Sequence, residues 1–155
     1  MRAFVAAVIL TGLGGCSPGE NSSESVVTLS SSPDLSGMWR WETDVVQCNN
    51  ISQAGCKYRG TMLLTKNDTP DQYDIKITLQ GIFNIGSLVE RQDGAEQDCV
   101  GSFRNRSLSI QCTSDREKYP TWYPADFSFV QGESLEIWQG QMLSWNNAPT
   151  TMTRL

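Results

Sequence analysis

Cys99-Val100-Gly101-Ser102-Phe103-Arg104-Asn105-Arg106-Ser107-Leu108-Ser109-Ile110-Gln111-Cys112 reads as two strands around one turn. Side chains of a strand alternate between its two faces. Centring a two-residue turn on Asn105-Arg106 sets Phe103 opposite Leu108, Gly101 opposite Ile110 and Cys99 opposite Cys112. All six share one face. The other face carries Arg104, Ser107, Ser102, Ser109, Val100 and Gln111, which is mostly polar. A slip of one residue would turn the whole apolar set outward and part the cysteines. One register therefore serves both the apolar face and a Cys99–Cys112 cross-link. The weak point is the turn, because Asn-Arg is less favoured there than Asn-Gly.

The same period of two extends along the chain on both sides. Tyr73, Ile75, Ile77 and Leu79 alternate with Asp74, Lys76, Thr78 and Gln80, the cleanest strand in the sequence. Trp39, Trp41, Thr43 and Val45 share one face of a first strand, with Met38, Arg40, Glu42 and Asp44 on the other. Further strands are expected near 59–66, 81–91, 97–103, 106–112, 125–131, 134–139, 141–145 and 150–154. Turn signals separate them at Asn67-Asp68-Thr69-Pro70-Asp71, Asp93-Gly94, Gly132-Glu133 and Asn146-Asn147-Ala148-Pro149. Gly81 and Gly86 mark bends or bulges. No stretch carries a helical stripe. Many short strands with short connections indicate an all-β domain, a small antiparallel up-and-down barrel of about eight strands over residues 37–155. A β-sandwich is the alternative. Closing the barrel removes edge strands, which are an aggregation hazard.

The N-terminus follows a different pattern. Met1-Arg2 begins with one positive charge, an apolar run extends from Ala3 to Leu13, and Leu13-Gly14-Gly15-Cys16 follows. These are the parts of a secretory signal. The run is about half the ~20 residues a spanning helix needs. Leu13-Gly14-Gly15-Cys16 resembles the bacterial lipobox, in which the chain is cut before the cysteine and lipid is attached to it. The resemblance implies a leader at 1–15 and a lipid-bearing Cys16. It also implies a bacterial envelope address, and Ser17 in place of Asp favours the outer membrane, facing the periplasm. Residues 16–36 are rich in Ser, with Gly, Asn, Glu and Pro, and read as a flexible tether. With Cys16 assigned to lipid, four of the five cysteines remain, and Cys48 and Cys56 pair by elimination. Both bonds suit an exported protein.

Two residues of the first strand and one near the chain's end extend the comparison. Gly37-Met38-Trp39 opens the domain and Arg154 nearly ends it. This resembles the calycins, the group of lipocalins and avidins, where a Gly-x-Trp opens the first strand and a late arginine packs across that tryptophan. The resemblance implies a barrel and a Trp39–Arg154 contact. The remaining lipocalin motifs and the biotin-contacting pattern of avidin are not matched, so it implies no ligand.

The 155-residue chain has net charge −5 and contains no histidine. Losing Arg2 with the leader leaves 11 basic against 17 acidic residues, a net charge of −6. That balance argues against nucleic acid as a partner. Absence of histidine removes Ser-His-Asp and Cys-His catalysis. With no Cys-x-x-Cys spacing either, no metal site or cofactor is expected. Glu96 with Asp98, and Asp71 with Tyr73, share strand faces but read as solvated edges rather than a tuned acid and base. The Asn-x-Ser/Thr matches at Asn21, Asn50, Asn67 and Asn105 read as chance in a bacterial chain.

What remains is contact chemistry rather than enzymatic chemistry. Tyr119-Pro120-Thr121-Trp122-Tyr123-Pro124 sets three aromatic residues and two prolines between strands. Such a segment either folds over an open barrel end or presents rigid rings to a partner. Trp138 shares a face with Ser134 and Glu136, which marks it as partly exposed and a second contact residue. Trp39, Trp41 and Thr43 line the interior. The expected function is a non-catalytic, membrane-anchored module that binds a small or hydrophobic ligand through Trp39, Trp41 and the 119–123 segment. The alternative is a protein-interaction lipoprotein, an envelope assembly factor or enzyme inhibitor.

Overall fold

The computed structural model of the chain describes residues 32–48, 55–86 and 89–155. The leader, Cys16 and the tether as far as residue 31 lie outside the described residues. The described chain forms β1 (Gly37–Thr43), β2 (Val46–Gln47), β3 (Gly55–Lys66), β4 (Gln72–Ile85), β5 (Arg91–Arg104), β6 (Ser107–Thr113), β7 (Phe127–Gln131), β8 (Ile137–Met142) and β9 (Ala148–Arg154). Each strand from β3 to β9 pairs antiparallel with the next. β9 pairs with β1, and β1 pairs with β3 to close an eight-stranded barrel. β2 is the additional strand. It continues along β3 after β1, with one extra residue between Glu42↔Arg59 and Val46↔Cys56, a bulge that turns Val45 out to solvent.

The Asn105 hairpin has the register its cysteines require, with Cys99↔Cys112, Gly101↔Ile110 and Phe103↔Leu108. Asn105 and Arg106 hold φ of 51° and 63°, the left-handed pair of a type I′ turn. Disulfides join Cys99 to Cys112 and Cys48 to Cys56. Tyr73, Ile75, Ile77 and Leu79 all face inward and are buried.

Five expectations need correction. Residues 81–85 finish β4, the chain turns before Arg91, and no separate strand spans 81–91. Asp93-Gly94 lies within β5, opposite Gly81 and Gln80, because long-range pairing with β4 overrides a local turn preference. One strand, β8, replaces the two expected at 134–139 and 141–145. Trp138 is fully buried while Leu135 and Ile137 stand outside. The alternation holds with the opposite face inward, since the barrel takes the largest ring and sets Trp138 opposite the buried Met152. Gly81 also keeps a regular ladder position instead of forming a bulge, whereas Gly86 takes a turn with φ of 85°.

The barrel is taller on one side. β3, β4 and β5 have 12, 14 and 14 residues, whereas β6 to β9 have 7, 5, 6 and 7. Tight coiling relies on glycine at two places. A Cβ on Gly60 would meet the Thr78 carbonyl, and one on Gly140 would meet the Ser128 carbonyl.

Both Gly37 and Arg154 lie at one end of the barrel, called here the entry end. There the backbone of residues 33–36, grouped by composition with the tether, is held by three barrel side chains. Trp39 Nε1 donates to Leu35 O at 2.9 Å and Arg154 Nη2 donates to Ser36 O at 2.7 Å. The Tyr73 hydroxyl accepts from Leu35 N at 3.2 Å and donates to Pro33 O at 3.3 Å. Leu35 is fully buried beneath them. The Arg154 guanidinium lies 5.4 Å from the Trp39 ring centroid.

The hairpin turn gives a direct test. A left-handed non-glycine residue costs about 1–2 kcal/mol, which glycine relieves at some cost in chain entropy. Arg106→Gly should therefore raise stability by about 0.5 kcal/mol in urea denaturation. A loss would mean that the Arg106 Nη2 bond to Gly132 O (3.1 Å) outweighs the turn strain.

Candidate functional site

The interior is filled by the protein's own side chains. Trp39 meets Trp138 edge-on with centroids 6.4 Å apart, Trp138 meets Phe103 at 5.7 Å, and Trp41 meets Phe127 at 4.9 Å. Trp39, Trp41 and Trp138 have no exposed surface, and Trp122 is 2% exposed. The Trp41 Nε1 donor is buried without a partner. It packs against Gly60, where an added Cβ would lie 3.0 Å from it.

The end opposite the entry end is sealed by a cycle of four rings. Tyr58 meets Trp145 at 4.4 Å, Trp145 meets Trp122 at 4.9 Å, Trp122 meets Phe83 at 6.5 Å and Phe83 meets Tyr58 at 5.9 Å. The tall wall supplies Tyr58 and Phe83. The loops after the short strands β6 and β8 supply Trp122 and Trp145. Gly81 leaves the space in which Phe83 and Trp122 sit. The Tyr58 hydroxyl is pushed above its ordinary 10.0 by burial.

Residues 114–126 carry the remaining sequence-marked rings. Asp115 Oδ1 accepts the amides of Glu117 and Lys118 at 3.1 and 3.0 Å, which shapes the loop's first turn. Ser114 Oγ donates to Trp122 O at 2.6 Å. The loop is tied to β5 by one buried side chain. Gln97 Nε2 donates to Tyr123 O and Gln97 Oε1 accepts from Ala125 N, both at 2.9 Å. Trp122 is thereby turned inward while Tyr123 stays 58% exposed. The Arg116 guanidinium stacks 4.4 Å from the Tyr123 ring centroid, and the Lys118 ammonium lies 4.9 Å from that of Tyr119. Each pair is a flat, cation-capped aromatic surface.

Beside this loop runs a groove of about 450 Å³ on the outer wall of β4 and β5. Lys76, Thr78, Glu96 and Asp98 form its floor, with Asp115, Lys118 and Tyr119 along the loop side. Lys118 reaches Glu96 at 3.6 Å and Lys76 reaches Asp98 at 3.7 Å. All four side chains are well exposed, so these pairs contribute little to stability. Asp71 sits in a turn with φ of 59°, its carbonyl bonded to Phe103 N, while the Tyr73 hydroxyl serves residues 33–35. Among the described residues, no three His, Cys, Asp or Glu side chains gather in a metal-binding group.

The contact residues marked in the sequence thus separate into distinct places. Trp39 and Trp138 meet near the entry end with Arg154 over Trp39, Trp41 lies against Phe127, Trp122 joins the sealing cycle, Tyr119 is half-buried against the core and Tyr123 stands outside. Tyr58, Phe83, Trp145, Gln97 and Arg116 were not marked. They come from three strands and two connections and share no period. No family model, curated protein or solved structure matches the chain.

The burial of Tyr58 predicts a pH response. With its folded value raised, the native state holds this proton more tightly than the unfolded state does. The associated stability is complete below pH 10.0 and falls as pH rises from there through the folded value. Denaturation midpoints followed from about pH 8 to about pH 11 should decline more steeply for the wild type than for Tyr58→Phe. Equal slopes would mean that the hydroxyl is solvated in the native state.

Proposed function

We propose that this chain is a bacterial lipoprotein, cut before Cys16 and held there by lipid in the outer membrane, facing the periplasm. Its barrel is a non-catalytic module that works by touching a partner protein with residues 114–126 and the adjoining outer wall. The filled interior carries this reading. A small or hydrophobic ligand gripped by Trp39 and Trp41 would have to part rings that are already in mutual contact. The groove and the cation-capped Tyr119 and Tyr123 need no such opening. The carboxylates of Glu96 and Asp98 are exposed and matched with lysines, which suits contact rather than acid–base chemistry. The first-strand Gly37-x-Trp39 and the Arg154 packing support placing the barrel among the calycin-like folds.

Two measurements test the reading. Mass spectrometry of protein extracted from membranes should find acylated Cys16 as the first residue, and an N-terminus retaining Met1 would overturn the anchor. An envelope protein recovered with the wild type should be held at least ~10-fold more weakly by Arg116→Ala/Tyr123→Ala, a change of about 1.4 kcal/mol. Undiminished recovery, together with a lipophilic probe that binds and quenches tryptophan fluorescence, would restore the interior-ligand reading.

A further inference from the structure

β5 runs from Arg91 to Arg104, but its pairing with β6 stops at Asp98↔Thr113. Residues 91–97 are paired on one side only, with β4. Their free side can be assigned by parity. The Cα atoms of Cys99 and Cys112 are 4.0 Å apart, the spacing of a non-hydrogen-bonded pair. The hydrogen-bonded pairs facing β6 are then Asp98↔Thr113 and every second pair toward the turn. Continued upward, the amides and carbonyls of Glu96, Gly94 and Gln92 point toward the missing part of β6. A bond on the other parity agrees, since Phe103 N turns to the β4 side and donates to Asp71 O.

The loop that passes this edge does not complete the ladder. Gln97 holds Tyr123 and Ala125 by its side chain, and no backbone bond from Gln92, Gly94 or Glu96 to residues 114–126 occurs among the described residues. Pro120 and Pro124 have no amide to offer. Among the described residues Gly94 N is met only by the neighbouring Asp93 Oδ1 at 2.9 Å, and Thr121 Oγ1 reaches the other oxygen of that carboxylate at 3.4 Å. Gln92, Gly94 and Glu96 are all exposed.

We infer that the upper half of β5 is a docking edge for an extended, lysine- or arginine-bearing segment of a partner protein, added as a strand beside residues 92–96. The inference rests on the partner-contact reading above and specifies how contact is made. Main-chain bonds along an open edge supply affinity, and alternate side chains supply selectivity. An added strand would direct every second side chain outward beside Glu96 and Asp98, toward the groove walled by Asp115 and Tyr119. Three carboxylates face two lysines there, which leaves one negative charge for a cationic residue. The short span and the Asp93 cap keep the edge from pairing indiscriminately.

The test uses the full-length lipoprotein in its own envelope, with a photo-reactive residue at Gln92, at Tyr123 or, as a control on the far wall, at Thr151. The inference expects one envelope protein to cross-link at Gln92 and Tyr123 but not at Thr151. Glu96→Pro removes the outward amide and leaves the β4 ladder intact, so the Gln92 product should fall at least ~10-fold. Glu96→Gln keeps that amide and should cost no more than about threefold. Cross-linking at Tyr123 alone, untouched by Glu96→Pro, would overturn strand addition and leave the partner-contact reading standing. No product at either site would overturn both. A product at Gln92 that is a second copy of this chain, or a glycan, would overturn the choice of occupant. Should Glu96→Pro fail to fold, amide exchange of the wild type decides. Glu96 N–H should exchange freely in the isolated lipoprotein and slow at least ~10-fold with partner bound, and no slowing would overturn the inference.

Discussion

Closure of β1 onto β3 is the constraint from which the rest of this structure follows. A closed ladder of eight strands fixes an interior only wide enough for side chains or one small ligand. Here Trp39, Trp41 and Trp138 take that space, together with Phe127, Phe129 and the inward row of β4. With the interior filled by rings, the surface the barrel offers to other molecules is its outer wall and its loops. Closure also removes the two outer edges of an open eight-stranded sheet, although β5 above Asp98 stays paired on one side only.

The entry end shows how the chain that precedes β1 becomes part of the same core. Trp39 and Tyr73 face inward, yet each has a polar atom that must be satisfied when buried. Leu35 and Pro33 satisfy them with backbone groups, and Arg154 crosses Trp39 to reach Ser36 O. Leu35 then fills the space between. The sealing is polar at this end and aromatic at the other, where Tyr58, Phe83, Trp122 and Trp145 meet.

The sequence made those features legible that depend on neighbours in a strand or a hairpin. Alternation at Tyr73–Leu79 marked an inward face, and the Asn105 hairpin fixed a register because only one pairing sets both cysteines and the apolar residues together. Features that depend on distant strands were not legible. Trp138 and Ile137 are equally apolar neighbours, and only the register with β9 decides which turns inward. Asp93-Gly94 has the composition of a turn but lies in a long strand, because β4 continues beside it. The groove was readable only as its parts. Glu96 and Asp98 were seen to share a face and Tyr119 to lie in a contact loop, but nothing local relates β5 to residues 115–119.

The uneven wall ties the site to the fold. Had β6 matched the height of β5, ladder bonds would have closed the upper seam and left no room for residues 114–126. Had β5 been as short as β6, Tyr58 and Phe83 would have had no supporting wall. The chain instead raises the short side with loops, and Trp122 and Trp145 stand where strand residues would have pointed inward. A loop built with Pro120 and Pro124 can lend its rings to the core, but it has few amides with which to cover a strand edge. The aromatic seal and the exposed backbone of β5 therefore have one cause. The same segment that closes the barrel's interior leaves its wall open at Gln92, Gly94 and Glu96, beside the half-buried Tyr119 and the exposed Tyr123.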